Sequence, residues 1–139
     1  MTKKLFYAED HDVLRRANID AIRFWAGKDL VVDEFSDGSS LVEKVKDYYD
    51  RGEKIDLILT DNAMGLVTDM SGLDAIKAIR EFDRETPIYM YAAAAAYDLT
   101  SPSRNIVKEA LQLGATGFID KNGWKAIEEL ERITKQYLS

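Results

Sequence analysis

Read from its start, the chain alternates short apolar runs with longer stretches whose apolar positions recur at helical spacing. Leu5-Phe6-Tyr7-Ala8 is the first run and predicts a strand ending on Glu9-Asp10. Asp12 then predicts a helix cap, and Leu14, Ala17, Ala21 and Trp25 trace a helical face that Gly27 stops. Leu30-Val31-Val32, closed by Phe35, is a second strand. Ser36 to Ser39 reads as a turn, after which Leu41, Val42, Val45, Tyr48 and Tyr49 carry a second helix up to Gly52. The third strand is IDLILTD, from Ile55 to Asp61. Asp56 apart, it is apolar from Ile55 to Leu59, as in a strand buried on both faces of a parallel sheet.

Asn62 to Ser71 contains Gly65 and no clear period, and reads as a loop. Ser71 or Asp69 caps the next helix, whose stripe is Leu73, Ile76, Ile79 and Phe82, and Pro87 bars its continuation. Ile88 to Tyr91 is a fourth strand. The alanines Ala92 to Ala96 favour helix intrinsically, yet directly after a strand they are expected to span its end and the start of a loop. Tyr97 to Arg104 is a loop or a helix start. Ile106, Val107, Ala110, Leu111 and Leu113 form a helical face stopped by Gly114. Gly117-Phe118-Ile119 is a fifth strand ending at Asp120-Lys121, and Trp124, Ile127, Leu130, Ile133 and Tyr137 give the last amphipathic helix. Five strands alternating with five helices imply a parallel sheet covered on both faces, with right-handed crossovers. Residues 1–139 read as a single domain.

Composition narrows the function. The 139 residues suffice for one real core, and 46% hydrophobic with 32% charged residues describe a globular chain. No apolar run reaches the roughly 18 residues of a membrane span, and no secretory signal is present, so membrane insertion is not expected and cytoplasmic residence is the default. The absence of Cys and the single His exclude disulfides, thiol nucleophiles and His-rich zinc sites. A net charge of -6 without a basic stripe argues against direct nucleic-acid binding and leaves protein partners and small phosphorylated donors.

Asp61 stands where the third strand leaves the core, and ligands of open α/β sheets bind outside the carboxyl ends of the strands. Alone, such an acid is a helix cap or turn former. Glu9, Asp10 and Lys121 fall at strand ends on the same edge, however, because all carboxyl ends of a parallel sheet point one way. Each pair of carboxylates at about 4 Å repels by about 4 kcal/mol at an effective dielectric of about 20. One lysine does not cancel three acids. A divalent metal does, and Mg²⁺ suits a few carboxylates with waters and a phosphoryl oxygen. The set also fits an aspartate nucleophile attacking phosphorus while metal and ammonium absorb charge. Plainer readings stand beside these: Glu9-Asp10 as a solvated turn, Lys121 as a surface lysine, His11 as a helix-start residue, Phe118 as core, and Tyr89, Tyr91 and Tyr97 as packing and surface residues.

Together, Glu9-Asp10, the aspartate of LILTDNAM, Gly72-Leu73 at the third helix and GATGFIDK at 114–121 resemble the receiver domain of two-component response regulators, in the family's order over nearly the whole chain. The resemblance implies a flavodoxin-like (βα)5 three-layer sandwich with strand order 2-1-3-4-5. It also implies Asp61 as phosphoacceptor, with Mg²⁺ held by Glu9, Asp10, Asp61 and the backbone carbonyl of Ala63. Lys121 then pairs with the acids and the phosphoryl group, and Phe118 matches the aromatic that rotates on activation. The donor is a histidine kinase or phosphotransfer protein. A single receiver with no output domain is expected to signal through contacts with a downstream protein partner and not to act as a turnover enzyme.

The chain departs from the family at several positions. Ala92 stands where Thr or Ser usually bonds a phosphoryl oxygen, Gly65 where proline is common, and Asn122 where a proline with a cis bond usually follows the lysine. The loop after Met64 and the segment Tyr97 to Ser103 are longer than usual. Ala92 motivates an alternative reading, a phosphorylation-independent pseudo-receiver that binds proteins. A flavin carrier or a metal-dependent phosphatase is a third; Glu9-Asp10, where a phosphate loop would stand, opposes a flavin phosphate.

Overall fold

The computed structural model describes residues 2–27, 29–65, 69–94 and 105–139. Its strands are β1 (Lys3–Ala8), β2 (Leu30–Phe35), β3 (Leu57–Thr60), β4 (Ile88–Ala92) and β5 (Gly117–Asp120), and its helices are α1 (Asp12–Ala26), α2 (Gly38–Asp50), α3 (Gly72–Arg80), α4 (Ile106–Gln112) and α5 (Ala126–Leu138). The strands form one sheet in the order β2-β1-β3-β4-β5. All four pairings are parallel. This is the flavodoxin-like three-layer arrangement.

Side-chain alternation along the strands explains the layers. Phe6, Ala8, Ile58, Ile88 and Met90 face one side, where they pack with Leu41 and Val45 of α2, Ile76 and Ile79 of α3, and Ile106 and Ala110 of α4. Leu5, Tyr7, Leu57, Leu59 and Tyr91 face the other, against Ile19 and Ile22 of α1 and Leu130 and Ile133 of α5. Both faces of β3 and β4 are therefore covered, which is why their sequences are near-continuous apolar runs.

Several boundaries differ from the pattern-based expectation. His11, not Asp12, caps α1: its Nδ1 accepts from the Leu14 N–H at 3.1 Å, while the Asp12 carboxylate turns to Arg15 at 2.8 Å. The buried face of α1 is Ile19 and Ile22, and Ala17 is exposed. At about 100° per residue, Ala17 lies about 140° from Ile22. Helix α2 begins inside the expected turn because Asp37 caps it, accepting from the Ser40 N–H at 2.8 Å. Ser71, not Asp69, caps α3 through a reciprocal box with Asp74, and Phe82 lies beyond the helix, half-buried.

The largest difference is at the last helix. Trp124 precedes α5 and is 89% exposed, and Ile127 is 71% exposed, whereas Ala126, Leu130, Ile133, Thr134 and Leu138 are buried. A run of apolar residues three apart drifts about 60° per step around a helix, so Ile127 and Ile133 stand about 120° apart. Tyr49 and Leu111 are also half exposed. Ala92 closes β4 as a strand residue. Ala95, Ala96 and the segment from Tyr97 to Arg104 lie outside the described residues, which contain no cis peptide bond.

Candidate functional site

The sheet register gathers the charged residues. Ala8, the last residue of β1, is paired with Thr60, the last of β3, and Ala92 with Asp120 at the ends of β4 and β5. The next residues in each chain segment therefore leave the sheet at one edge. There the Lys121 ammonium donates to Asp61 Oδ2 at 2.9 Å and to Glu9 Oε1 at 3.1 Å. Glu9, Asp10 and Asp61 each bring one oxygen within 4.8 Å of the other two. The structure thus brings together four of the residues singled out in the sequence.

Backbone contacts fix each member. The Asp61 N–H donates to the Ala8 carbonyl and that of Glu9 to the Phe35 carbonyl, both at 2.9 Å. Asp61 Oδ1 accepts from the Asn62 N–H at 2.7 Å. The Lys121 N–H donates to the carbonyl of Ala92 at 3.0 Å, which ties the base of the lysine to the end of β4. Asp10 is exposed, and its carboxylate accepts from the Gly65 N–H at 3.0 Å, an anchor for the loop after Asp61. Gly65 has φ +66, a backbone conformation that glycine adopts without strain.

Burial sets the electrostatics. Glu9 is 1% exposed, which removes the solvated-turn reading for it. Burial pushes its carboxyl up to about 7, and the charge of Asp61 adds to the rise, with Lys121 offsetting part of it. Burial alone would lower the Lys121 ammonium, but its bonds to Asp61 and Glu9 outweigh that and hold it above its ordinary value. Beneath the cluster, Tyr7 is fully buried with its hydroxyl accepting from Asn18 at 2.9 Å, and burial pushes its phenol up.

The donor set fits a hard cation. All three acids offer oxygen, one ammonium leaves the cluster with excess negative charge, and Asp10 faces solvent, so a hydrated ion has a way in. Ala63 is exposed on the loop two residues after Asp61. Phe118 is half-buried in β5, paired with Met90 and packed on the α2–α3–α4 side of the core. Ala92 is wholly buried.

Pattern reasoning missed residues that position the phosphoacceptor candidate. Asn62 is buried, and its side-chain oxygen accepts from the Leu73 N–H at 3.1 Å, joining the residue after Asp61 to the start of α3. The Gly72 N–H donates to the Asn62 carbonyl at 2.8 Å, and a Cβ on Gly72 would overlap the Asp61 carbonyl oxygen. Arg15 reaches from α1 to the Glu9 carbonyl at 2.5 Å and to Glu34 at 2.8 Å. Gly72 stood in the sequence as one of the motifs that carry the resemblance, without this packing role; nothing in the sequence marked Arg15.

The comparisons agree with this geometry. The family model described as "Response regulator receiver domain" matches residues 5–134. No curated protein matches the chain. Among solved structures, the chain is similar to the signal receiver domain of the putative response regulator NarL from Mycobacterium tuberculosis, at 23% identity and TM-score 0.68 over 96% of this chain and 97% of that one. It is similar to a response regulator receiver domain from Rhodospirillum rubrum, at 19% identity and TM-score 0.72 over 96% and 92%. It is also similar to the phosphorylated cyanobacterial phytochrome response regulator RcpA, at 19% identity and TM-score 0.70 over 100% and 96%.

Proposed function

Because the chain belongs to the family of response regulator receiver domains, we propose that it accepts a phosphoryl group on Asp61 from a phosphohistidine of a histidine kinase or phosphotransfer protein. The observation that carries this is the Lys121 ammonium bonded to Asp61 and Glu9 at once, with Asp10 beside them. A carboxylate oxygen of Asp61 forms the new P–O bond as the donor's P–N bond breaks, and the electron pair of that bond returns to the imidazole nitrogen. Lys121 stabilises the charge on the phosphoryl oxygens and holds Asp61 in line. When bound by Glu9, Asp10, Asp61 and the Ala63 carbonyl, Mg²⁺ supplies the remaining positive charge. The chain transfers the group to itself without turnover and signals through a downstream protein partner, with Phe118 as the responding aromatic.

Incubation with Mg²⁺ and a small acyl phosphate, followed by intact mass measurement, tests this. The expected result is one phosphate per chain, absent in Asp61→Asn; an equal gain in that variant defeats the assignment.

Ala92 favours a second reading. Its methyl offers no hydroxyl to the phosphate, and one hydrogen bond to a charged group is worth about 1.5–3 kcal/mol, about 10- to 150-fold in a conformational equilibrium. On that reading the domain docks its partner regardless of phosphorylation. Equal partner affinity with and without phosphodonor supports it and removes the switch.

A further inference from the structure

At the sheet edge opposite Asp61, the end of α3 and the turn after α4 border an open, solvent-facing cavity of about 450 Å³ lined by Lys77, Arg80, Glu81, Arg84, Leu113 and Gly114 among others. Three cations and one acid meet there in a chain whose net charge is -6. Among the described residues, none of the three cations has a carboxylate within ion-pair distance. Arg80 is held in place by neutral groups: its Nε donates to the Gly114 carbonyl at 2.8 Å and its Nη1 to the Asp83 carbonyl at 3.0 Å. Gly114 makes that position possible, since a Cβ there would come within 2.7 Å of Arg80 Cγ. Burial depresses the Arg80 pKa, with Asp83 offsetting part of it, so the environment leaves its charge under-compensated.

A row of basic residues on a helix is ordinarily a solvated face. Here one guanidinium is half-buried and preorganised, its remaining N–H donors have a cavity beside them, and two unpaired, flexible cations stand at the rim. We propose that this cavity binds a small molecule carrying two or more phosphate groups. Arg80 Nη2, which donates to no group among the described residues, offers its N–H bonds to one phosphate. Lys77 and Arg84 close on the next, and the excess of two positive charges on the lining matches a diphosphate better than a carboxylate or a single phosphate. This site shares no lining residue with the Asp61 cluster, so it stands independently of the phosphoacceptor reading.

The test is titration of the full chain with pyrophosphate and with ADP in EDTA, followed by calorimetry and by amide NMR shifts. The expected result is saturable binding of at least one probe, with shifts centred on the end of α3 and Gly114, and an affinity at least about tenfold weaker in the Lys77→Gln/Arg84→Gln double variant. An unchanged far-UV circular dichroism spectrum and urea midpoint show that this variant is folded. No saturation at millimolar probe, equal affinity in the double variant, or shifts centred on Asp61 would each overturn the proposal. So would saturation by an acidic peptide and by neither phosphate probe, which makes the surface a protein-docking site instead.

Discussion

Replacing Lys121 by Met removes the ammonium that bridges Asp61 and Glu9 and leaves a side chain of similar length. The two ion pairs of that ammonium span 2.9 and 3.1 Å. At an effective dielectric of about 20 they amount to gross attractions of about 6 and about 5 kcal/mol. The lysine regains hydration on unfolding, so the net loss is much smaller, in the range of about 3–5 kcal/mol found when one partner of a buried ion pair is removed. What remains in the variant is three acids, each with one oxygen within 4.8 Å of the others, and among the described residues no cation is paired with their carboxylates. A dication occupying that space replaces the missing charge. The penalty measured in saturating Mg²⁺ is therefore expected to be smaller than in EDTA by about 2 kcal/mol. Linkage makes that difference equal to a tighter hold on the ion, by about 30-fold.

Urea unfolding of wild type and Lys121→Met at one pH, in EDTA and in saturating Mg²⁺, gives the four stabilities needed. Calorimetric Mg²⁺ titration of both proteins supplies the affinity ratio independently. If the variant is equally destabilised with and without Mg²⁺, the ion and the lysine do not act on the same carboxylates, and the assignment of Glu9, Asp10 and Asp61 as its holders fails.

Two further outcomes follow from hydrogen bonding at Asp83 and from packing at Gly72. Asp83 accepts from the Thr86 hydroxyl at 2.6 Å and from the amides of Glu85 and Thr86 at 3.0 and 3.1 Å. Burial alone would raise its carboxyl, but these bonds and the charge of Arg80 outweigh that and hold it below its ordinary 3.8. Its stabilisation is thus fully present above that ordinary value and lost as pH falls through the depressed folded value. Asp83→Ala should cost about 2–3 kcal/mol at pH 7 and less once the carboxyl is protonated below its folded pKa, as read from urea midpoints across pH. Gly72→Ala drives a methyl into the Asp61 carbonyl. It should cost about 1–3 kcal/mol in stability. Displacing Asp61 by about 1 Å should also slow phosphate uptake by about 100-fold, measured by mass against time.

Strands β3 and β4 were legible because burial on both faces leaves a run with no polar period to misread, whereas the edge strand β2 was read from its β-branched residues. The helices were legible in number and order but less so in phase. A strand shows its buried side by simple alternation, whereas residues spaced by three and by four both count toward a helical stripe, and a chain of threes walks off the face. Trp124 and Ile127 were assigned inward on that pattern, yet α5 turns Ala126, Leu130 and Ile133 to the sheet. His11 took the cap because Asp12 had a better partner in Arg15, a contest that composition does not reveal.

The charged site was more legible than the helices that carry it, and the reason is topological. Once β1, β3 and β5 run parallel, the residues after their last apolar positions must emerge at one edge, whatever the helical phase. What stayed hidden was the apparatus that holds them: Asn62 and Gly72 clamp Asp61 to the first turn of α3, and Arg15 ties the Glu9 backbone to α1 and β2. These bonds join residues across different elements and leave no periodicity in the chain. They also bear on what phosphorylation could move. The Ala92 carbonyl holds the Lys121 backbone, so the end of β4 and the lysine are already coupled through the main chain. A hydroxyl at Ala92 would add a side-chain route from a phosphate on Asp61 to the same strand end, and without it, among the described residues, the main chain and the Lys121 ammonium connect Asp61 with β4.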